Sequence, residues 1–200
     1  MVDRADSGPR FSEEEVANAL GEEVKFLGRG AFGDTWRAGD SAVKIICVDG
    51  YPEARLRREV EGLRRVNSPH VVSLLETMML NLGGVARPAL RFEYISGGDL
   101  SDRIKAQNWP SPSEIEKLLK GLLVGVEALH RTKTIHRDIK PENVALRDGK
   151  WSCPVLLDLG LAKQLGGSTR LPSRRLAGQQ VSAPRTRGWS VILKTGSAAP

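Results

Sequence analysis

His136-Arg137-Asp138-Ile139-Lys140-Pro141-Glu142-Asn143, with Asp158-Leu159-Gly160 beginning fifteen residues beyond Asn143, is the stretch on which the fold turns. Asp138 offers a carboxylate able to take a proton from a hydroxyl. Lys140, two residues on, brings a cation to the same place. Asn143 contributes an amide oxygen of the kind that hard cations accept, and Asp158 a stronger oxygen ligand. A charged surface loop formed by chance would not set these residue types in this order.

Upstream lies Gly28-Arg29-Gly30-Ala31-Phe32-Gly33. Glycines let a backbone approach phosphates closely. Alone, the pattern fits a flexible hairpin at least as well. A dinucleotide-binding turn would open a helix, whereas the residues after Gly33 read as a strand. Eleven residues beyond Gly33, Ala42-Val43-Lys44 puts a lysine on a strand between apolar neighbours. Such a lysine can neutralise phosphate charge. Taken alone, an edge-strand lysine snorkelling to water explains it better. Glu59, on the helix that follows, can pair with Lys44; it is equally a surface glutamate beside Arg55, Arg57 and Arg58.

The elements between these motifs follow from periodicity. Residues 13–20 form a short helix, and 22–28, 34–38 and 41–48 form strands. Pro52 opens a helix whose apolar face is Leu56, Val60, Leu63 and Val66. Residues 71–80 and 88–95 read as strands. Gly97-Gly98 breaks the second, and a short helix follows. Ser111-Pro112-Ser113-Glu114 is a helix start with Ser at N-cap and Pro at N1. Its apolar stripe is Ile115, Leu118, Leu119, Leu122, Leu123, Val126 and Leu129. Ile135 starts a loop, and 144–146 and 155–157 are short strands. Strands cluster first and helices later, which predicts an α+β arrangement in two lobes.

The 200 residues suit one domain or one two-lobed unit, with 40% hydrophobic and 27% charged residues, a globular composition. No apolar run approaches a membrane span, and the N-terminus is too polar and acidic for a secretory signal. Cys47 and Cys153 lack metal-type spacing and read as free thiols in a reducing compartment. The net charge of +6 is uneven: residues 161–200 carry seven bases and no acid, leaving −1 for the rest. With Trp189 as its one aromatic, that tail reads as a solvated segment rather than a nucleic-acid contact.

Taken together, the motifs resemble the eukaryotic-type Ser/Thr protein kinase family. The resemblance implies an α+β, protein-kinase-like two-lobed fold, with a small β-rich N-lobe and a truncated, mainly helical C-lobe. It divides the chain into an N-terminal tail (1–21), an N-lobe (22–95), a partial C-lobe (96–165) and a degraded activation segment with basic tail (166–200). It implies that Gly28, Gly30 and Gly33 cover the phosphates of ATP, and that Lys44 contacts them while pairing with Glu59. It puts Phe92 at the gatekeeper position and makes Glu93-Tyr94-Ile95 the hinge that holds adenine through backbone groups. It places Asp99 where ribose or substrate is contacted. Asp138 matches the catalytic base, and Asn143 and Asp158 match the Mg²⁺ ligands. Lys140 resembles the Ser/Thr-specific pattern, and Arg137 the members activated by phosphorylation, with Thr169, Ser173 and Ser168 as candidate sites.

The implied activity is transfer of the ATP γ-phosphate to Ser/Thr hydroxyls of a protein substrate, at a cytoplasmic location. The alternative is a non-catalytic kinase-like module that binds ATP or a protein partner. Neither membrane nor nucleic acid is expected as a partner. The chain also departs from the family. Thr35 stands where the glycine loop usually ends in valine, and Leu159 replaces phenylalanine after Asp158. Beyond about residue 165 the resemblance decays: Gly178-Gln179-Gln180 and Ala183-Pro184-Arg185 stand where a Gly-Thr-like turn and Ala-Pro-Glu are expected. The stripe on the helix over 113–129 would then be left exposed, or covered by a stabilising protein partner.

Overall fold

The computed structural model describes residues 8–158 and 163–164, with backbone alone at 55, 58, 59, 163 and 164. The chain divides into two units at Gly167, and every described residue lies in the first.

Helix α1 (Glu13–Leu20) begins where Ser12 accepts a hydrogen bond from the Glu15 amide at 3.1 Å. Glu13, Glu14 and Glu15 occupy its first turn, where the helix dipole favours acids. Strands β1 (Val24–Arg29), β2 (Gly33–Ala38), β3 (Ser41–Ile46), β4 (Leu74–Leu82) and β5 (Val85–Glu93) form an antiparallel sheet in the order β1-β2-β3-β5-β4. Helix α2 (Glu53–Arg65) intervenes between β3 and β4. Alternation along β3 buries Val43 and Ile45 against Val16, Trp36, Leu80, Leu82 and Ala89. Lys44, between them, faces the opposite side.

The β4–β5 hairpin differs from the expected strands at 71–80 and 88–95, because both strands run on to a two-residue turn at Gly83-Gly84. Both glycines adopt positive φ, 59° and 74°. A turn of that hand matches the twist of the strands it joins, so pairing continues to Leu82 and Val85.

The second half holds α3 (Leu100–Lys105), α4 (Pro112–Arg131) and two ribbons. These are β6 (Thr134–Ile135) with β9 (Lys163–Gln164), and β7 (Val144–Leu146) with β8 (Pro154–Leu156). Ile135, expected to start a loop, instead ends β6. A two-residue strand carries no periodicity and exists because the chain returns beside it. At the predicted N-cap a capping box opens α4: Ser111 accepts from the Glu114 amide and Glu114 from the Ser111 amide, at 3.4 and 2.8 Å.

A second core joins the two halves. Leu63, Val72, Leu90 and Phe92 from the sheet side meet Leu129, Val144, Val155 and Leu156. The segment leading into β4 pairs with β8: Val72 N–H donates to Leu156 O at 3.0 Å, and Leu156 N–H to His70 O at 2.9 Å. Helix α4 approaches this seam closely. A Cβ at Gly121 would lie 2.6 Å from Pro154, and one at Gly125 would lie 2.7 Å from the His70 carbonyl oxygen. Leu129 is fully buried there, so its truncation to Ala costs about 2–5 kcal/mol.

The outer face of α4 leaves Ile115, Leu119, Leu123 and Val124 exposed, Leu123 at 68%. Of the expected stripe, Ile115, Leu119 and Leu123 are uncovered, whereas Leu122, Val126 and Leu129 pack into the second core. Among the described residues no helix is long and apolar enough to cross a membrane. Leu159, Gly160, Ser168, Thr169, Ser173, the 178–185 segment and Trp189 lie outside the described residues.

Candidate active site

Two short structures position the 136–143 stretch. Pro141–Asn143 is a single 3₁₀ turn, in which Asn143 N–H donates to Lys140 O at 2.9 Å. The ribbon β7–β8 then pairs Val144 with Leu156. That register brings Asn143 beside Leu157, whose amide donates to Asn143 O at 2.8 Å, so Asp158 arrives next to the turn.

Asp138 is held from two sides. Asn143 Nδ2 donates to its carboxylate Oδ2 at 2.9 Å and to its backbone carbonyl at 2.7 Å. Lys140 Nζ lies 3.1 Å from the same Oδ2. Among the described residues Oδ1 of Asp138 accepts no hydrogen bond. Asn143, itself buried, commits its amide nitrogen to Asp138, which leaves Oδ1 for another partner.

His136 is buried and ties the loop to the Asp158 segment. Its Nε2 donates to Leu157 O at 2.8 Å, while Nδ1 accepts from the Asp138 amide at 3.3 Å. This pattern assigns the neutral Nε2–H tautomer. Burial holds the imidazole pKa below its ordinary value. Arg137 and Asp158 on either side of this bond network adopt left-handed backbone, φ 70° and 49°. Such backbone persists where the surroundings over-determine it.

Lys44 reaches this group from the sheet. Its Nζ lies 2.6 Å from Asp158 Oδ1, across 114 residues of sequence. The lysine side chain is 13% exposed and the aspartate 46%. The expected partner, Glu59, sits on α2, but its side chain lies outside the described residues. The described partner of Lys44 is therefore the aspartate itself. Thr35 stands between Lys44 and Gly28 in the sheet register.

The three loop glycines divide into two kinds. Gly33 is required by packing: a Cβ there would lie 1.8 Å from Ile45 O. Gly28 is surrounded by open space, and Gly30 would meet only Gly33 O at 3.4 Å. Among the described residues nothing demands glycine at those two positions, whereas a ligand approaching the backbone would. The loop tip closes by a Gly30 N–H to Gly33 O bond of 2.8 Å, and Phe32 packs edge-on against Tyr51.

Phe92 is buried on β5, and Ile95 is buried in the core shared by the two halves. The Glu93 and Tyr94 amides donate to Ser73 O and Asp40 O. Among the described residues the Ile95 amide has no partner. The Glu93 side chain accepts from Ser73 N–H at 3.0 Å and from Arg147 Nη1 at 2.9 Å. Burial alone would raise the Glu93 pKa, but those donors more than offset it and hold the carboxyl below its usual range. Asp99 caps α3, accepting from the Asp102 amide at 2.9 Å. Both cysteines are free thiols. Burial pushes the Cys47 pKa up, away from reactive thiolate character.

The structure therefore brings Lys44, Asp138, Lys140, Asn143 and Asp158 together, with Gly28 on the sheet that carries Lys44 and Gly30 in the loop after it. Sequence reading missed the His136 bridge, the Glu93–Arg147 pair, and the attachment of Arg10 to Asp34. None carries a local signal, because each joins residues distant in the chain.

Residues 22–186 match the sequence model of the protein kinase domain. A probable serine/threonine-protein kinase of Streptomyces coelicolor is 31% identical over 153 residues, 71% of this chain and 22% of that protein. The probable serine/threonine-protein kinase PknB of Bifidobacterium longum is 30% identical over 190 residues, 86% of this chain and 27% of its own length. Myosin light chain kinase A of Dictyostelium discoideum is 31% identical over 150 residues, 70% of this chain and half of its own. The chain thus spans half or less of the length of these relatives.

Proposed function

The chain belongs to the protein kinase domain family, and from that premise we propose that it transfers the γ-phosphoryl group of ATP to serine or threonine hydroxyls of a protein. The observation that carries the proposal is the convergence of Lys44 on Asp158 beside the Asp138–Asn143–Lys140 group. Phosphoryl transfer needs little covalent chemistry from a protein; it needs positioning and charge stabilisation. These five side chains supply both.

In this reading Asp138 orients the acceptor hydroxyl and takes its proton through Oδ1, while Asn143 and Lys140 hold Oδ2. The Lys140 cation offsets charge that builds on the phosphoryl oxygens. Lys44 contacts the non-transferring phosphates, and the open space at Gly28 lets the loop backbone lie against them. The Ile95 amide is the hinge donor left for adenine. The donor set also fits a hard cation. Asn143 Oδ1 and the Asp158 carboxylate are two oxygen ligands, and Mg²⁺ is commonly held by one or two such groups plus substrate phosphates and water. A Mg²⁺ ion held there would supply positive charge to offset that of the phosphates. Lys140 two residues after Asp138, and the similarity to serine/threonine-protein kinases, support a Ser/Thr acceptor over tyrosine.

Transfer of radiolabelled phosphate from ATP to a general Ser/Thr acceptor such as casein, in Mg²⁺, tests the proposal beside Asp138→Asn. Labelled phosphoserine or phosphothreonine from the wild type alone is the expected result. A folded wild type that binds ATP and transfers nothing would instead establish the non-catalytic binding module.

A further inference from the structure

The segment before α1 is tied to the glycine loop. Asp34, directly after Gly33, is fully buried, and its carboxylate is met by Arg10 twice. The Arg10 amide donates to Oδ2 at 2.6 Å, and its guanidinium pairs with Oδ1. The other arm of the same guanidinium, Nη2, donates to Gly30 O at 3.2 Å, at the loop tip. Arg29 returns the contact, Nη1 donating to Gly8 O at 3.2 Å. The segment is itself anchored. Phe11 packs on the core of Val16 and Trp36 beneath the Arg87 guanidinium, and Ser12 caps α1.

The two faces of this arrangement differ in origin. A buried carboxylate has to be paired, so Asp34 explains why a cation is there. It does not explain the second arm reaching the Gly30 carbonyl, at the tip of the loop. A glycine-rich loop is otherwise free to sample many poses, and ordering it on a ligand costs affinity. A fork fixed at one end to the sheet and at the other to the loop tip reduces that cost. The segment that carries Arg10 precedes the residues that match the kinase domain, 22–186, while Asp34 and Gly30 lie within them.

We propose that Arg10 is a positioning residue: through buried Asp34 and the Gly30 carbonyl it holds the glycine loop in the pose that receives the phosphates of the nucleotide. The inference rests on the nucleotide reading of the preceding subsection. Arg10 touches no reacting atom; it acts through the loop.

The experiment compares the full chain with Arg10→Met/Asp34→Leu, a double replacement that removes the fork without leaving a buried charge unpaired. Three readouts are taken: amide hydrogen exchange over residues 28–33 without ligand, calorimetric affinity for ATP with Mg²⁺, and affinity for adenosine. The expected result is faster exchange in the loop and an ATP affinity weakened about tenfold, as when the competent pose falls to about a tenth of the population. Adenosine affinity stays near the wild-type value, because adenosine has no phosphates for the loop to meet. Unchanged exchange and ATP affinity overturns the proposal. Equal weakening of ATP and adenosine also overturns it, since a general loss of structure would do that. If the double variant lacks a cooperative transition, Arg10→Lys serves with the same criteria, keeping the charge on Asp34 but losing the fork to Gly30. A folded wild type that binds neither ligand overturns the nucleotide reading and this inference with it; a wild type that binds ATP as tightly as the variant overturns this inference alone.

Discussion

At the scale of single residues, the site is an argument about which oxygen remains available. Asn143 and Lys140 occupy Oδ2 of Asp138, so in the proposed reaction the acceptor hydroxyl is left to Oδ1. Asp138→Asn keeps the shape and removes the proposed base. Its phosphoryl transfer should fall about 10²–10⁴-fold with ATP affinity unchanged, read from initial rates and calorimetry. A drop in affinity with unchanged turnover would place Asp138 elsewhere in the cycle. His136 makes a prediction of opposite kind, about stability. Its pKa is lowered from the ordinary 6.5 by burial. Below 6.5 the unfolded chain therefore binds a proton that the folded chain refuses. Stability contributed by the neutral ring is present above 6.5 and is lost as pH falls through the lower folded value. Denaturant melts from pH 8 to 5 should show this slope in the wild type and a shallower one in His136→Gln. Equal slopes would mean that the ring titrates alike in both states.

At the scale of elements, two helix features carry opposite expectations. Gly121 and Gly125 bring α4 against Pro154 and His70 with no room for a methyl. Gly125→Ala, although favourable for helix propensity, should destabilise the chain by about 1–3 kcal/mol through overpacking at a backbone carbonyl, measured by chemical denaturation. A neutral or stabilising effect would show that the seam yields. The other face of the same helix is open at Leu119 and Leu123. Leu119→Ser with Leu123→Ser should lower binding of a hydrophobic dye while leaving the melting temperature close to wild type. A large fall in melting temperature would mean that this face is packed in the folded chain.

The hairpin and ribbons show where local pattern stops. The Gly83-Gly84 turn was readable from its two glycines, yet alternation alone ended both strands short of it. Ribbon β6–β9 has two residues a side and depends on the chain coming back. The long, strongly patterned elements fared better. α2 and α4 start where Pro52 and the Ser111 N-cap predict, and β3 carries Lys44 on the face its alternation requires.

At the scale of the whole molecule, the two halves meet at the seam of His70, Val72 and Leu156, and the Lys44–Asp158 contact joins them again at the site. A ligand gripped by both halves should stabilise them as one unit. ATP with Mg²⁺ at a hundred times its dissociation constant should add about 2.7 kcal/mol to unfolding. Lys44→Met and Asp158→Ala should each abolish that gain, which a thermal melt with and without nucleotide would reveal. A gain retained in both would disconnect the pair from nucleotide binding.

Much of this was legible along the chain. The residue types at 28–33, 44, 136–143 and 158 limit the chemistry because few reactions need glycines, a lysine, an acid and two oxygen ligands in that order. Periodicity set most of the elements because burying one face of a helix or strand demands it. The rest was decided only when the chain folded. Which of the three glycines is needed for packing, which oxygen of Asp138 is left open, that His136 is the neutral bridge, and that Arg10 reaches both Asp34 and Gly30 are all facts about distance. They join residues up to 24, and in the case of Lys44 and Asp158 114, positions apart. A sequence specifies such contacts only through the packing of everything between them, so no window along it contains them.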